Sequence, residues 1–211
     1  METILLTGAS GQLGKTFNLQ FEHSSLKEKY TLLAFDKTDM DLTKEESTSS
    51  LLSMYRPSVI INCGAYTAVD DAEIESELAR KVNDEAVGRI SGWASENDCR
   101  LIHISTDFVF DGTSEKPYSP DDPAFPAGVY GKTKLAGEKH ILKSLTSSGV
   151  IIRTSWLYSE FCQNFVITMI RLMAEKPDLG IVSDQVGSPT SAHSLSRVLI
   201  KVIEKGSFYG I

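Results

Sequence analysis

The feature that most constrains this chain is a glycine triplet set directly behind its first run of strand-forming residues. Ile4-Leu5-Leu6-Thr7 reads as a β-strand, and Gly8-Ala9-Ser10-Gly11-Gln12-Leu13-Gly14 follows at once, opening an amphipathic stretch over residues 11–22. The spacing is G-x-x-G-x-x-G, and each glycine has its own physical reason. Gly8 permits a tight turn, Gly11 lets a pyrophosphate approach the backbone, and Gly14 lets helix and strand pack closely. The helix N-terminus then offers unpaired N–H groups and a partial positive charge to phosphates. A bare glycine-rich turn is the plain alternative, but the strand before it and the helix after it favour the phosphate loop. Lys15-Thr16 follows Gly14 directly, not at the spacing of a nucleoside triphosphatase loop, which argues against that class.

The remainder of the chain alternates short β-rich runs with amphipathic ones. Strands are predicted at residues 31–35, 59–62, 101–105 and 150–153. A helix through Leu51, Leu52 and Tyr55 should stop before Pro57. A longer helix is predicted over residues 76–97, with Leu78, Val82, Ala86, Ile90 and Trp93 as its apolar stripe, and another over residues 129–145. Residues 117–126 read as a proline-rich loop. Strands separated by helices imply parallel pairing with right-handed crossovers, hence an α/β fold with a doubly wound parallel sheet of Rossmann type. After Arg153 the rhythm changes: a helix over residues 163–175, a short strand near Ile181, turns at Gly187-Ser188-Pro189 and a last helix over residues 192–205. Phe208-Tyr209-Gly210-Ile211 resembles the beginning of a strand, either a short edge strand or the place where the polypeptide is cut. The expected organisation is a dinucleotide-binding domain over residues 1–155 and a small, incomplete substrate-binding portion over residues 156–211.

Bulk properties narrow the class. At 211 residues, 41% hydrophobic and 23% charged, the chain has ample material for a soluble core. Its net charge of −7 argues against nucleic acid as a partner, which needs a basic face. No apolar run is long enough for a membrane span and no signal-type segment opens the chain, so a cytoplasmic protein is expected. Cys63, Cys99 and Cys162 have no metal-ligand or disulfide spacing and read as reduced thiols; no metal site is expected. Asp70-Asp71 with Glu73, Glu75 and Glu77 reads as a solvated helix start.

Asp36 ends the second predicted strand roughly 20 residues beyond the glycine loop, where an acidic side chain can bond the adenosine ribose. Lys37 follows and can pair with a 2′-phosphate, so NAD and NADP both stay open. Tyr130-Gly131-Lys132-Thr133-Lys134 puts Tyr130 and Lys134 on one helix face, with Lys132 off it. A lysine ammonium beside a phenol favours the phenolate, bringing a group with an ordinary pKa of about 10 toward acid–base use. Ser105-Thr106-Asp107 ends the fourth strand, where ligands collect, and Thr106 is preferred as the hydroxyl next to Tyr130. Ser105 can instead point into the sheet. His103 reads as a core histidine, and His23, His140 and His193, which show no partner spacing in the sequence, as surface residues.

Taken together, the motifs are similar to those of dTDP-4-dehydrorhamnose reductases. The matching blocks are Gly8 through Gly14, then Asn62-Cys63-Gly64-Ala65-Tyr66-Thr67-Ala68-Val69-Asp70, Ser105-Thr106-Asp107-Phe108-Val109-Phe110-Asp111-Gly112, Val129-Tyr130-Gly131-Lys132-Thr133-Lys134-Leu135-Ala136-Gly137-Glu138, Arg153-Thr154-Ser155-Trp156 and Asp184-Gln185-Val186-Gly187-Ser188-Pro189-Thr190. The resemblance implies reduction of dTDP-4-dehydro-β-L-rhamnose by NADPH or NADH. Hydride would reach C4 while Tyr130 protonates the oxygen and Thr106 bonds it. It also implies that Gly11, Gln12 and Leu13 hold the pyrophosphate, that Asp36, Asp41 and Leu42 line the adenosine end, and that Ala65, Tyr66 and Thr67 run along the ribose and nicotinamide. Asp107 and Trp156 would face the sugar, with Lys134 on the nicotinamide ribose. A homodimer fits the same resemblance. Asp71 stands where the family usually has a lysine, and members continue beyond Gly210-Ile211 with more of the substrate domain. Two alternatives remain: another nucleotide-sugar epimerase or reductase of this fold, and a dinucleotide-binding regulatory subunit without catalysis.

Overall fold

The computed structural model describes residues 1–211. Five strands, β1 (Glu2–Thr7), β2 (Tyr30–Phe35), β3 (Val59–Asn62), β4 (Arg100–Thr106) and β5 (Gly149–Thr154), form one sheet in the order β2-β1-β3-β4-β5. Every pairing within it is parallel. Between them run α1 (Gln12–Phe21), α2 (Glu45–Tyr55), α3 (Ser76–Arg80), α4 (Ala86–Glu96) and α5 (Val129–Ser144), followed by α6 (Phe165–Glu175) and α7 (Ala192–Lys205).

Period-two alternation sends neighbouring residues of each strand to opposite layers. Ile4, Leu6, Ile61 and Ile102 pack with Phe17 of α1 and Leu199 and Ile203 of α7. Leu5, Ile60, Leu101 and Ile151 pack with Leu52 of α2, Val87 and Ile90 of α4 and Ile141 of α5. The sheet is therefore covered on both faces, as an all-parallel sheet requires. The chain leaves β1 toward β2 on one side and later places β3 on the other, which opens a crevice at the carboxyl ends of β1 and β3.

Two sequence expectations need correction. The helix predicted over residues 76–97 is interrupted: Lys81–Glu85 forms a π-helical turn between α3 and α4. The extra residue per turn carries Asn83 into the interior, where it is 1% exposed. No strand forms at Ile181. Instead β6 (Leu157–Tyr158) pairs in parallel with β7 (Thr190–Ser191), and the stretch between α6 and β7 is irregular. The apolar pair Ile181 and Val182 misled the pattern reading, because both are exposed with nothing to pair against. The final residues do reach the sheet edge: Gly210 N–H donates to the Gly149 carbonyl at 2.9 Å, and Ile151 N–H donates to the Gly210 carbonyl at 2.8 Å. No residue of α6 is buried, and Phe165, Ile170 and Met173 lie on its open side. No helix is long and apolar enough to cross a membrane.

Candidate active site

A cleft of about 670 Å³ lies over the crevice between β1 and β3 and extends to the ends of β4 and β5. Every residue expected to serve catalysis, the dinucleotide or the sugar lines it, from Gly8 to Trp156. The glycine loop is built by close contact. Gly8 has φ +68°, and a Cβ there would meet Gly64 N at 2.7 Å, so the loops after β1 and β3 touch. A Cβ on Gly14 would stand 2.3 Å from the Gly8 carbonyl oxygen, which is the close helix–strand approach expected of the third glycine. Gly11 precedes α1 without a side-chain cap, leaving the first N–H groups of the helix without intrahelical partners. Leu13 is buried in the core and the Gln12 side chain is engaged elsewhere. Gln12 Nε2 donates to the Leu157 carbonyl (3.3 Å), and its Oε1 accepts from Ser159 Oγ (3.2 Å) and Asn164 Nδ2 (3.0 Å). What both residues present to the cleft is backbone, the chemistry a pyrophosphate needs.

At the far end, Asp36 and Asp41 close their own turns. Asp36 Oδ1 accepts from Thr38 N–H and Thr38 Oγ1, each at 2.7 Å, and these bonds hold its carboxyl below the usual range. Asp41 does the same with Thr43 Oγ1 (2.7 Å) and N–H (3.0 Å), with the same effect on its acidity. The turn role and a ribose contact are compatible, because Asp36 keeps its second oxygen. Lys37 stands beside it on the cleft rim, while Leu42 packs its Cδ1 against Gly64.

The middle of the cleft is held by a residue that no sequence pattern announced. Asn83, delivered by the π turn, accepts from Tyr66 N–H at 2.9 Å and donates to the Tyr66 carbonyl at 3.0 Å. It thereby clamps the 65–67 segment by its backbone. The Tyr66 phenol donates to Glu75 Oε2 at 2.6 Å, and that carboxylate pushes the phenol up to about 12.

At the end of β4 the side chains diverge as alternation requires. Ser105 points inward and donates to Glu138 at 2.5 Å, while Thr106 faces the cleft. Thr106 Oγ1 donates to Asp107 Oδ1 (3.1 Å) and accepts from Phe108 N–H (3.2 Å), so it caps a turn and lines the site at once. Phe108 sets its ring edge-on to Tyr130, with centroids 5.6 Å apart. Burial pushes the Tyr130 phenol up; the Thr106 hydroxyl pulls it back, and the Asp107 charge raises it again. Asp107 is itself raised, chiefly by burial.

Lys134 departs from expectation. It is 2% exposed, its Nζ donates to the Ile104 carbonyl at 2.6 Å, and it lies 3.2 Å from His103 Nε2. Burial brings it down to about 8, against the pull of Glu138 and Cys63. Burial and the Asp107 charge outweigh the pull of Thr106 on the phenol, so Tyr130 is held as an acid. Its proton is available to give, which suits protonation of a developing alkoxide.

Trp156 is not the core aromatic that its place beside a strand end allows. It is 44% exposed in the cleft, with a left-handed φ of 47°. Gly187 lies flat on its indole, where a Cβ would stand 2.8 Å from Cε2. Ser155 Oγ donates to the Ser188 carbonyl at 2.7 Å, fixing the 187–190 segment above the ring. Behind the site, Glu138 is fully buried and takes Arg153 Nη2 at 2.7 Å and Nε at 3.0 Å. Arg153 also stacks over Phe110, which ties α5 to β5 and to the loop after β4. His140 and His193 lie at the surface, as expected, and each meets a carboxylate distant in sequence: His140 pairs with Asp84 at 2.8 Å and His193 with Glu160 at 2.9 Å.

A parallel sheet in this order, with a glycine turn at its switch point, defines a doubly wound α/β protein of Rossmann type. The family model described as RmlD substrate binding domain matches residues 1–209. The dTDP-4-dehydrorhamnose reductase of Aggregatibacter actinomycetemcomitans is 39% identical over 205 residues, covering 97% of this chain and 68% of that protein. A crystal structure of the Clostridium acetobutylicum dTDP-4-dehydrorhamnose reductase superposes with a TM-score of 0.92 at 38% identity, covering 99% of this chain and 72% of that one. The Bacillus anthracis dTDP-4-dehydrorhamnose reductase, solved in complex with NADP, gives 0.91 at 37% identity over 99% of this chain and 72% of that one. The chain belongs to the RmlD substrate binding domain family.

Proposed function

We propose that this chain reduces dTDP-4-dehydro-β-L-rhamnose to dTDP-β-L-rhamnose with NADPH or NADH. The observation that carries the reading is the cleft that joins an uncapped, glycine-built helix N-terminus to a half-buried acid, Tyr130, with Thr106 beside it. The fit to a dinucleotide rests on the glycine cradle. The contacts at Gly8 and Gly14 draw the loop tight, and Gly11, where a Cβ would crowd the Gly8 carbonyl oxygen at 3.3 Å, is exposed to the cleft. On this reading the backbone of Gly11, Gln12 and Leu13 holds the pyrophosphate. Asp36, Lys37, Asp41 and Leu42 surround the adenosine end, and Ala65, Tyr66 and Thr67, steadied by Asn83, run beside the nicotinamide half. Lys134 holds the nicotinamide ribose.

Held by these residues, a reduced nicotinamide would supply the hydride that C4 of the sugar needs. Tyr130 gives its proton to the oxygen at that carbon, Thr106 bonds the same oxygen, and Asp107 with Trp156 bounds the sugar. Residues 1–155 carry the dinucleotide and residues 156–211 carry part of the sugar side. Such chemistry belongs in the cytosol, in keeping with three free cysteines. The open face of α6 is in keeping with a homodimer.

The test is turnover. The purified chain should oxidise NADPH only when dTDP-4-dehydro-β-L-rhamnose is present. Tyr130→Phe should lower kcat by about 100-fold or more while dinucleotide affinity stays unchanged. Binding without turnover in the parent chain would favour a regulatory subunit instead.

A further inference from the structure

His103 takes no part in the reading above. It is fully buried in β4 and does not line the cleft, yet it stands directly behind Lys134. A chain of hydrogen bonds reaches it from the loop after β3. Gly64 N–H donates to Thr7 Oγ1 at 3.0 Å, so the Thr7 hydroxyl is left with one proton to give. Thr7 is 1% exposed, and the group it meets is the side chain of Asn62, at 2.6 Å. That separation fits O–H···O and is short for N–H···O. Asn62 therefore turns its carbonyl to Thr7 and its amino group to His103 Nδ1, 3.0 Å away. A neutral imidazole carries one N–H, and with Nδ1 accepting it must sit on Nε2. Nε2 faces Lys134 Nζ at 3.2 Å. An ammonium and an imidazole N–H are both donors and cannot bond each other, whereas an amine has a lone pair that accepts.

We propose that His103 is a positioning residue for Lys134: its proton, confined to Nε2 by Gly64, Thr7 and Asn62, holds the lysine as a neutral amine in the unliganded cleft in mildly alkaline solution. The groups facing Lys134 are compatible with this. Glu138 on its own helix is already bonded by Arg153 and Ser105, burial keeps the Cys63 thiol protonated, up to about 12, and Tyr130 is held as a phenol. His103 is pushed well below the usual histidine range by burial, so it stays neutral. One consequence rests on the dinucleotide reading. Ribose hydroxyls that accept from Lys134, in a ligand whose pyrophosphate brings negative charge into the same cleft, favour the ammonium, so binding takes one proton from solvent onto Nζ. The ammonium that forms no longer accepts from His103 and turns its hydrogens to the ligand.

The direct test is ¹⁵N NMR of the imidazole in the unliganded chain between about pH 8.5 and 9.5, above the value of about 8 to which burial brings Lys134. The expected result is the Nε2–H tautomer of His103 throughout; the Nδ1–H tautomer or an imidazolium overturns the proposal. Calorimetry of NADPH binding near pH 8.5, in buffers of different ionisation enthalpy, should then show uptake of roughly half to one proton. Binding with no uptake overturns it as well. Asn62→Asp, whose carboxylate claims Nδ1–H, should reverse the tautomer and abolish the uptake. Thr7→Val, which releases the Asn62 amide, should give mixed tautomers and a smaller uptake, and covers the case in which Asn62→Asp does not fold. Failure of NADPH to bind at all would count against the dinucleotide reading alone, because the tautomer is read without ligand.

Discussion

At the scale of single residues, two glycines make opposite predictions from the same substitution. At Gly14 a methyl group would meet the Gly8 carbonyl at 2.3 Å, backbone against backbone, with no flexible side chain to give way. Gly14→Ala should cost about 1–3 kcal/mol of stability, as overpacked sites do, and should weaken dinucleotide binding by distorting the loop. At Gly92, inside α4, a methyl group would meet nothing within 4 Å. Gly92→Ala should stabilise the chain by about 0.5–1 kcal/mol, since it removes the conformational penalty of glycine in a helix. Urea unfolding of the two variants checks both signs. Much of the site was legible at this scale, because glycine spacing, Tyr130 with Lys134 and the position of Thr106 are local patterns. Asn83 and Glu138 were not legible. Each acts on residues distant in sequence, and nothing in the spacing around either one marks its partners.

At the scale of elements, α5 carries both Tyr130 and Lys134, and its seat is an ion pair. Glu138 is fully buried and Arg153 is 12% exposed, so the pair sits in a region where an unpartnered charge is expensive. Arg153→Met should lower stability by about 3–5 kcal/mol, because it strands the Glu138 carboxylate. Arg153→Met combined with Glu138→Leu should recover most of that loss, since the charge goes with its partner. A double-mutant cycle by urea unfolding separates the pairing from the packing of Arg153 over Phe110. The strands and most helices could be read from apolar periodicity, but the break over Lys81–Glu85 could not. A π turn inserts one residue while leaving the apolar stripe of Leu78, Val82, Ala86 and Ile90 almost unchanged. The false strand at Ile181 has the converse cause: two apolar residues next to one another read as a strand even when no neighbour exists to pair with them.

At the scale of the whole molecule, the two faces of the sheet are covered but the apolar side of α6 is not. Phe165, Ile170 and Met173 of this one helix are each more than 60% exposed, a concentration of bare apolar surface. The chain should therefore self-associate with rising concentration, as followed by light scattering behind size exclusion. Ile170→Lys with Met173→Lys should restore a monomer without changing dinucleotide affinity, since neither residue lines the cleft. The global fold was the most legible level of all. Alternating strands and helices behind a glycine turn leave few topologies open once crossovers are right-handed, and the switch point between β1 and β3 then dictates where a ligand must sit.

The central claim is that a dinucleotide stretches from the amides after Gly11 to the phenol of Tyr130, and a crystal structure of the chain with NADPH tests it most directly. The account predicts pyrophosphate oxygens on the Gln12 and Leu13 amides and a nicotinamide ring whose reactive face is turned to the space beside Tyr130 and Thr106. Density for the dinucleotide outside the cleft, or a ring turned away from Tyr130, would contradict it.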